Sequence, residues 1–309
     1  MAIPDTPPAA TRLFGDWGTS RLRLWLVRGN AITPWREGPG IGALDRPAAD
    51  VLRALVAELT ADARPARIVL CGMAGARGGL YEAGYVDCPA DRTVWARQAT
   101  RIALDGIPLV IGAGVALPAD APRADVMRGE ETQAFGAIAH DPALASGQHT
   151  LLLPGTHSKW VDIADGTITG FTTFFTGELF ALLGKSTLLT AGVEGADSDE
   201  GFAAGLDRAQ AGGLLGTLFE ARAMQLRQGR SGAWAAGFLS GLLIGGEIAE
   251  MAARAPLPTR IPVIGDARLA ARYARALATF GCTAQALDAE AVTLAGLSLL
   301  DREPIDADD

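Results

Sequence analysis

Two short glycine turns carry the residue types that can grip a phosphate chain. One is Gly15-Asp16-Trp17-Gly18-Thr19-Ser20, and the other is Pro154-Gly155-Thr156-His157-Ser158-Lys159. Each pairs a flexible turn with hydroxyls, and a hairpin tip offering backbone N–H groups and hydroxyls is an anion-binding device. Asp16 stands directly before its Gly-Thr turn, at the end of the apolar pair Leu13-Phe14. A carboxylate there can hold a water-coordinated Mg²⁺, which favours one or two carboxylates plus phosphate oxygens. An ordinary Asp-X-Gly turn is the competing reading for Asp16 alone. Lys159 could reach a β- or γ-phosphate as a point charge, or it could be a solvated surface cation. His157 could equally cap or pack its turn.

Further along, Glu130 and Glu131 follow Gly129 at an expected helix start, where the helix dipole favours acidic residues. The chemical reading is that one of them accepts the proton of an attacking hydroxyl. Arg77 and Arg128 each lie in a glycine-flanked loop and could bind a substrate carboxylate through two parallel bonds. Two nucleotide motifs fail. Gly184-Lys185-Ser186 resembles the end of a Walker loop, but Leu179 stands where a glycine is required. Gly112-Ala113-Gly114 begins a dinucleotide fingerprint, but Leu117 replaces its third glycine and Pro118 breaks the expected helix.

The elements that must position these residues are legible in outline. Each glycine turn sits between an apolar strand and an alternating one. Leu22, Leu24 and Leu26 alternate with Arg23, Trp25 and Val27, the period of a half-buried strand. Placing Gly18-Thr19 over Gly155-Thr156 brings Ala31-Ile32 near Thr167-Ile168, so the hairpin unit is used twice. Helices are expected over residues 50–62, 177–189, 232–253 and 267–280, with further helix up to Arg227. Buried strands are expected over 67–71, 109–111 and 261–264. The first of them ends in the glycine-dense loop 72–79, a common place for a ligand. Residues 125–139 read as a loop entering a helix, and 192–201 as an acidic, glycine-containing lid or insertion. Strands alternating with helices imply an α/β architecture with covered sheets.

Composition bounds the function. The chain has 309 residues, enough for two domains, with 49% hydrophobic and 20% charged residues. Its net charge of −8 has no basic block, which excludes nucleic acid as the main partner. Cys71, Cys88 and Cys282 lack metal-ligand spacing and read as buried thiols of a reducing compartment. Residues 1–10 lack the apolar run of a signal peptide. The longest uncharged stretch, 231–246, is shorter than the about 20 residues a membrane span needs. A cytoplasmic protein with no membrane partner is expected.

Taken together and in order, the motifs resemble the 2-dehydro-3-deoxygalactonokinase family. The motifs are Asp16-Trp17-Gly18-Thr19-Ser20, Gly72-Met73-Ala74-Gly75-Ala76-Arg77-Gly78 and Val126-Met127-Arg128-Gly129-Glu130-Glu131-Thr132-Gln133. Leu153-Pro154-Gly155-Thr156-His157-Ser158-Lys159-Trp160 and Thr176-Gly177-Glu178-Leu179-Phe180-Ala181-Leu182-Leu183 follow. The resemblance runs over about residues 13–300. It implies the two-lobed actin-like (ribonuclease H-like) sugar kinase fold, with a duplicated βββαβαβα core and ATP in the inter-lobe cleft. The lobes are expected at 1–140 and 141–309.

The implied activity is ATP-dependent phosphorylation of the 6-hydroxyl of 2-dehydro-3-deoxy-D-galactonate, in galactonate catabolism. ATP and Mg²⁺ would be the cofactors and the sugar acid the small-molecule partner, with a homodimer as the assembly to test. By resemblance, Gly18, Thr19, Ser20, Gly155, Thr156, His157 and Lys159 hold phosphates, and Ile264-Gly265-Asp266 forms the adenosine loop. Asp16 serves the metal, and Arg77, Arg128, Glu130 and Glu178 meet the sugar acid. Similarity of the Gly129-Glu130-Glu131 loop to the exopolyphosphatase branch favours Glu131 over Glu130 as the base. The alternatives are an exopolyphosphatase-like phosphohydrolase, a kinase for a related keto-deoxy sugar acid, and a nucleotide sensor without turnover.

Three departures from the family pattern stand out. Phe175 takes a position expected for Met, and Gly184-Lys185-Ser186 replaces a usual Arg/His-Ser. Pro154 stands where many superfamily members carry Asp, which leaves Mg²⁺ chiefly to Asp16.

Overall fold

The protein, as a computed structural model, is described over residues 10–185 and 198–302. Ser186 and most of the expected acidic lid lie outside the described residues, as do residues 1–9. Contacts divide the chain into two compact units. The first comprises residues 1–148, 163–171 and 289–309, and the second 149–162 and 172–288. These boundaries differ from a partition at 140/141, chiefly because the C-terminal segment packs with the first unit.

The first unit is built on strands β1 (Thr11–Trp17), β2 (Arg21–Arg28) and β3 (Ala31–Pro39), helix α1 (Ala48–Ala57) and strand β4 (Arg67–Gly72). Then come β5 (Tyr85–Asp87), α2 (Arg92–Arg97), β6 (Thr100–Leu104), β7 (Ile107–Ile111), β8 (Gly114–Ala116), β9 (Val126–Met127) and α3 (Glu130–His140). A six-stranded sheet runs β3-β2-β1-β4-β7-β6, and β5-β8-β9 form a small second sheet. β1 pairs antiparallel with β2 but parallel with β4, so the ends of β1 and β4 lie side by side, Asp16 opposite Cys71. The strand extends through Trp17, which places Asp16 inside it rather than beyond its end.

Leu13, Trp17, Leu22, Leu24, Leu52, Ile68, Leu70 and Ile111 form one core. β2 was expected to be half-buried, yet Trp25 and Val27 are also buried. The pairing with β3 shifts register at Leu24/Trp25, and the Trp25 indole N–H donates to Glu290, so the second face is covered as well. Helix α1 starts earlier than expected, after Pro47, and stops at Ala57 rather than residue 62.

The five-stranded sheet runs β12-β11-β10-β13-β14. It contains β10 (Gln148–Leu153), β11 (Ser158–Ala164) and β12 (Thr167–Phe174), followed by helices α4 (Thr176–Gly184), α5 (Asp199–Gln210), α6 (Leu214–Thr217), α7 (Glu220–Gln228) and α8 (Gly232–Arg254). Strand β13 (Arg260–Ile264), helix α9 (Ala267–Thr279), strand β14 (Thr283–Leu287) and helix α10 (Ala289–Arg302) complete the chain. Its strand order repeats that of β3-β2-β1-β4-β7, the duplication expected from the two glycine turns. Ser198 caps α5 by accepting from the Gly201 N–H, so residues 199–201 begin a helix rather than continue the acidic loop.

Each unit contains a helix pair that only glycines allow to approach so closely. A side chain at Gly205 of α5 would collide with the Phe238 carbonyl of α8, and one at Gly241 of α8 with the Phe202 carbonyl. In the first unit, a side chain at Gly136 of α3 would collide with the Val292 carbonyl of α10, and one at Gly296 with the Thr132 carbonyl. α8 is long and apolar enough to cross a membrane by length and composition, but 83% of its most apolar window is buried in the protein. It is a core helix.

Candidate active site

In the first unit three backbone segments converge on Asp16. Gly72, at the end of β4, has φ of +76°, and a Cβ there would lie 2.8 Å from the Trp17 carbonyl and 3.3 Å from Asp16 Oδ1. Gly129, before α3, has φ of +108°, and its Cβ would lie 3.2 Å from Gly72 Cα. Both positions combine a left-handed backbone with a close approach, so glycine is needed at each. The result sets the start of α3 against the end of β4, and the end of β4 against Asp16.

The Asp16 carboxylate is about one-fifth exposed and paired with Arg23, whose Nη2 lies 2.6 Å from Oδ2. Among the described residues, its Oδ1 receives only the weak thiol donor of Cys71 at 3.7 Å. Burial, with Asp16 and then Glu131 nearby, pushes the Cys71 thiol up, so it stays protonated. Among the described residues no group of three His, Cys, Asp or Glu side chains is arranged to hold a metal. Asp16 with one weakly engaged oxygen fits a single-carboxylate Mg²⁺ ligand, a mode in which phosphate and water fill the other positions.

Glu131 is 0% exposed. The Gly129 N–H donates to its Oε2 at 2.6 Å, and the Thr132 hydroxyl to Oε1 at 3.1 Å. Burial, reinforced by Glu130, nevertheless pushes its carboxyl from 4.5 to about 8. A carboxyl tuned to that range suits proton acceptance near neutral pH. Glu130, only partly buried, accepts the Arg128 backbone N–H at 3.2 Å.

Arg128 differs from Arg77. Arg77 is exposed in the loop after β4. The Arg128 guanidinium lies 4.3 Å from the centre of the Tyr85 ring and donates through Nη2 to the Ala83 carbonyl at 2.7 Å. Its Nε and Nη1 are buried without a hydrogen-bond partner. A Cβ at Gly75 would lie 2.8 Å from Nη1, so that glycine makes room for the guanidinium. These unused donors lie on different edges of the guanidinium, so each can serve an acceptor separately.

At the tip of the first hairpin, Gly18 N–H bonds the Arg21 carbonyl at 2.9 Å, and Thr19 and Ser20 are exposed. The Gly18 and Thr19 carbonyls accept the N–H groups of Ile41 and Gly42, at 3.0 and 2.9 Å. The loop after β3 therefore fixes the tip from beneath.

The second unit carries its own constellation. Gly155, Thr156 and His157 form the turn between β10 and β11. The Thr156 carbonyl accepts the Glu178 N–H at 2.8 Å, and a side chain at Gly177 would collide with the Gly155 carbonyl, so the start of α4 sits on the turn. His157 Nε2 lies 2.7 Å from Glu178 Oε2, and its ring stacks on Phe175 with centroids 5.3 Å apart. His157 and Glu178 thus engage each other, and the departure at Phe175 supplies the stacking partner. Gly265, after β13, lies against the turn, with its Cβ position 3.2 Å from the Pro154 carbonyl.

Lys159 is not the solvated surface cation that one reading of the sequence allowed. It is 3% exposed, within β11. Strand alternation explains this, because Ser158 and Trp160 on either side both direct donors to one buried carboxylate, and Lys159 takes the opposite face. That carboxylate, Glu247 of α8, has no counterpart among the residues singled out from sequence. Its one signal there is an acidic residue inside an apolar run.

The sequence profile of the family described as 2-keto-3-deoxy-galactonokinase matches residues 16–300. The chain is 40% identical over 296 residues to a probable 2-dehydro-3-deoxygalactonokinase of Rhizobium meliloti (strain 1021), covering 92% of this chain and 94% of that protein. It is 34% identical over 289 residues to the 2-dehydro-3-deoxygalactonokinase of Escherichia coli (strain K12), covering 91% and 94%. The crystal structure of a candidate 2-dehydro-3-deoxygalactonokinase from Sinorhizobium meliloti superposes with a TM-score of 0.84 at 37% identity, over 94% of this chain and 98% of that one. The activator of 2-hydroxyisocaproyl-CoA dehydratase from Clostridium difficile matches at a TM-score of 0.50 and 11% identity, over 94% of each chain. That likeness bears on the fold alone, which is the actin-like fold of sugar kinases. The chain belongs to the 2-keto-3-deoxy-galactonokinase family.

Proposed function

We propose that the protein transfers the γ-phosphoryl group of ATP to the 6-hydroxyl of 2-dehydro-3-deoxy-D-galactonate, giving 2-dehydro-3-deoxy-6-phosphogalactonate and ADP. Family membership over residues 16–300 supports the reaction class. The observation that carries the site is the convergence of Asp16, Gly72 and Gly129 beside a buried carboxyl raised to about 8. Bound Mg²⁺ would offset the charge of the transferring group. Asp16 would hold it through Oδ1, while Arg23 keeps the carboxylate in place through Oδ2.

Glu131 receives the hydroxyl proton, and reaching it requires the Gly129 N–H bond to open. Glu130 and Arg128 orient the acid, Arg128 through its charge and its unused donors. Within the first unit the exposed Thr19 and Ser20 suit phosphate oxygens, with Gly18 shaping the turn because its N–H is committed to the Arg21 carbonyl, and within the second unit Gly155 and Thr156 suit the same task. Gly265, against Pro154, suits the nucleoside end of the same ligand. Three buried free thiols suit work in a reducing compartment such as the cytoplasm.

A coupled ADP-release assay with Mg-ATP tests this, offering the galactonate-derived and the gluconate-derived keto-deoxy acids side by side. The two acids differ by inversion of one hydroxyl, which a site that hydrogen-bonds that hydroxyl rejects. Turnover that depends on the galactonate-derived acid and is weaker on its epimer is the expected result. ADP release indifferent to added acid would overturn the kinase reading.

A further inference from the structure

Glu247 is the most heavily bonded buried carboxylate outside the site described above. It is 3% exposed and lies on α8, yet four side chains from other elements donate to it. Ser158 Oγ and Trp160 Nε1, both of β11, reach Oε1 at 2.7 Å each. Tyr273 OH, of α9, reaches Oε2 at 2.7 Å, and Thr176 Oγ1, at the start of α4, reaches the same oxygen. Two donors on each oxygen fill the accepting capacity of a carboxylate. Burial pushes the Glu247 carboxyl up, and all four donors oppose that.

A purely apolar core would fill this space without the cost of a buried charge. The location of the donors gives the group a role. Ser158 is the residue that follows the Gly155-Thr156-His157 turn. Thr176 precedes Gly177 and Glu178, which seat α4 on that turn through the Gly155 and Thr156 carbonyls. Tyr273 lies on the helix that follows Gly265, itself packed on Pro154. One carboxylate therefore ties together every segment that shapes the turn, all within the second unit.

We propose that Glu247 is the positioning residue of the second hairpin, holding residues 155–157 in the conformation that receives nucleotide phosphates. This rests on the reading that the turn binds a nucleotide. Glu247 does not touch the ligand and acts through Ser158 and Thr176.

The test measures ADP affinity by calorimetry, together with melting temperature, for Ser158→Ala, Thr176→Val, Glu247→Gln and Glu247→Leu. Thr217→Val serves as a control, since the buried Thr217 hydroxyl donates to the Gly213 carbonyl elsewhere in the same unit. Hydrogen bonds to a charged group are strong enough that losing one should weaken ADP binding about tenfold in Ser158→Ala and Thr176→Val. The control should melt earlier with ADP affinity unchanged. Glu247→Gln keeps an acceptor for Ser158 and Trp160, so it should rescue most of the affinity that Glu247→Leu loses. In turnover, KM for ATP should rise in Ser158→Ala while kcat changes little. If Ser158→Ala and Thr176→Val match the control, melting earlier with ADP affinity within about twofold of the parent, Glu247 is a packing feature and the proposal fails. If the parent protein does not bind ADP at all, the nucleotide reading of the turn fails, and the inference with it.

Discussion

At the scale of residues, the proposed site rests on a few carboxylates with different surroundings. Asp16 is paired with Arg23, whereas Glu131 is stripped of water and raised to about 8. Asp16→Asn and Glu131→Gln should each fold and lose most turnover, about 10²-fold or more for Glu131 as a general base. Glu130→Gln should lose less, so steady-state kinetics of the three variants rank the two glutamates directly. The raised carboxyl also has a thermodynamic signature. A group whose folded pKa exceeds its unfolded value near 4.5 stabilises the fold fully below that value, and its contribution is lost as pH rises towards about 8. Glutamine cannot ionise, so the melting temperature of Glu131→Gln should gain on the parent between pH 5 and pH 9, and a difference flat with pH would refute the shift. Burial and then Glu130 raise the value, while the backbone N–H groups of Glu131 and Gly129 and the Arg128 charge lower it. Arg128 gives a further test. Arg128→Lys removes the planar guanidinium with its fixed donors and should raise KM for the sugar acid about tenfold, while Arg77→Lys, at an exposed position, should change it little.

Elements place those residues through backbone contacts that tolerate no added atoms. α3 carries Glu130 and Glu131, and its position is set by α10, where Gly296 meets the Thr132 carbonyl next to Glu131. Gly296→Ala should force the helices apart, costing about 1–3 kcal/mol by overpacking and reducing kcat with it. Denaturant titration and turnover measured on one preparation would check both halves. Gly241→Ala, in the α5–α8 pair, should cost stability similarly, since its side chain meets the Phe202 carbonyl. Sequence patterning identified the hairpins, β4, β7, β13 and α9 because each has an apolar period or a turn signal of its own. It did not reveal α10 or β14. The small residues of α10 become informative only once α3 is known to lie against them. The acidic start of α5 looked like loop for a related reason, because Ser198 shows itself as a cap only when the Gly201 N–H is seen to meet it.

For the whole molecule, the five-stranded sheet repeats the order of five strands of the six-stranded one, yet chain order and unit membership differ. α10 ends the sequence but belongs to the unit that begins it. Arg12 of β1 pairs with Asp301, and Arg67 of β4 donates to the Asp301 carbonyl at 2.7 Å, while Val292, Leu297 and Leu300 are buried. Removing residues 289–309 should therefore unfold the first unit rather than trim a tail, as hydrogen exchange across β1 and β4 would reveal. The sequence alone determined the family and the duplicated hairpins, and it singled out Asp16, Glu130, Glu131 and Arg128 as candidates, because glycine turns and charged loop residues announce themselves locally. Tertiary structure decided which of these are buried or paired, that Lys159 is buried, and that Glu247 gathers donors from β11, α4 and α9. Those outcomes depend on desolvation and on partners far away in sequence, such as Ser158 and Tyr273 around Glu247, and no local pattern records them.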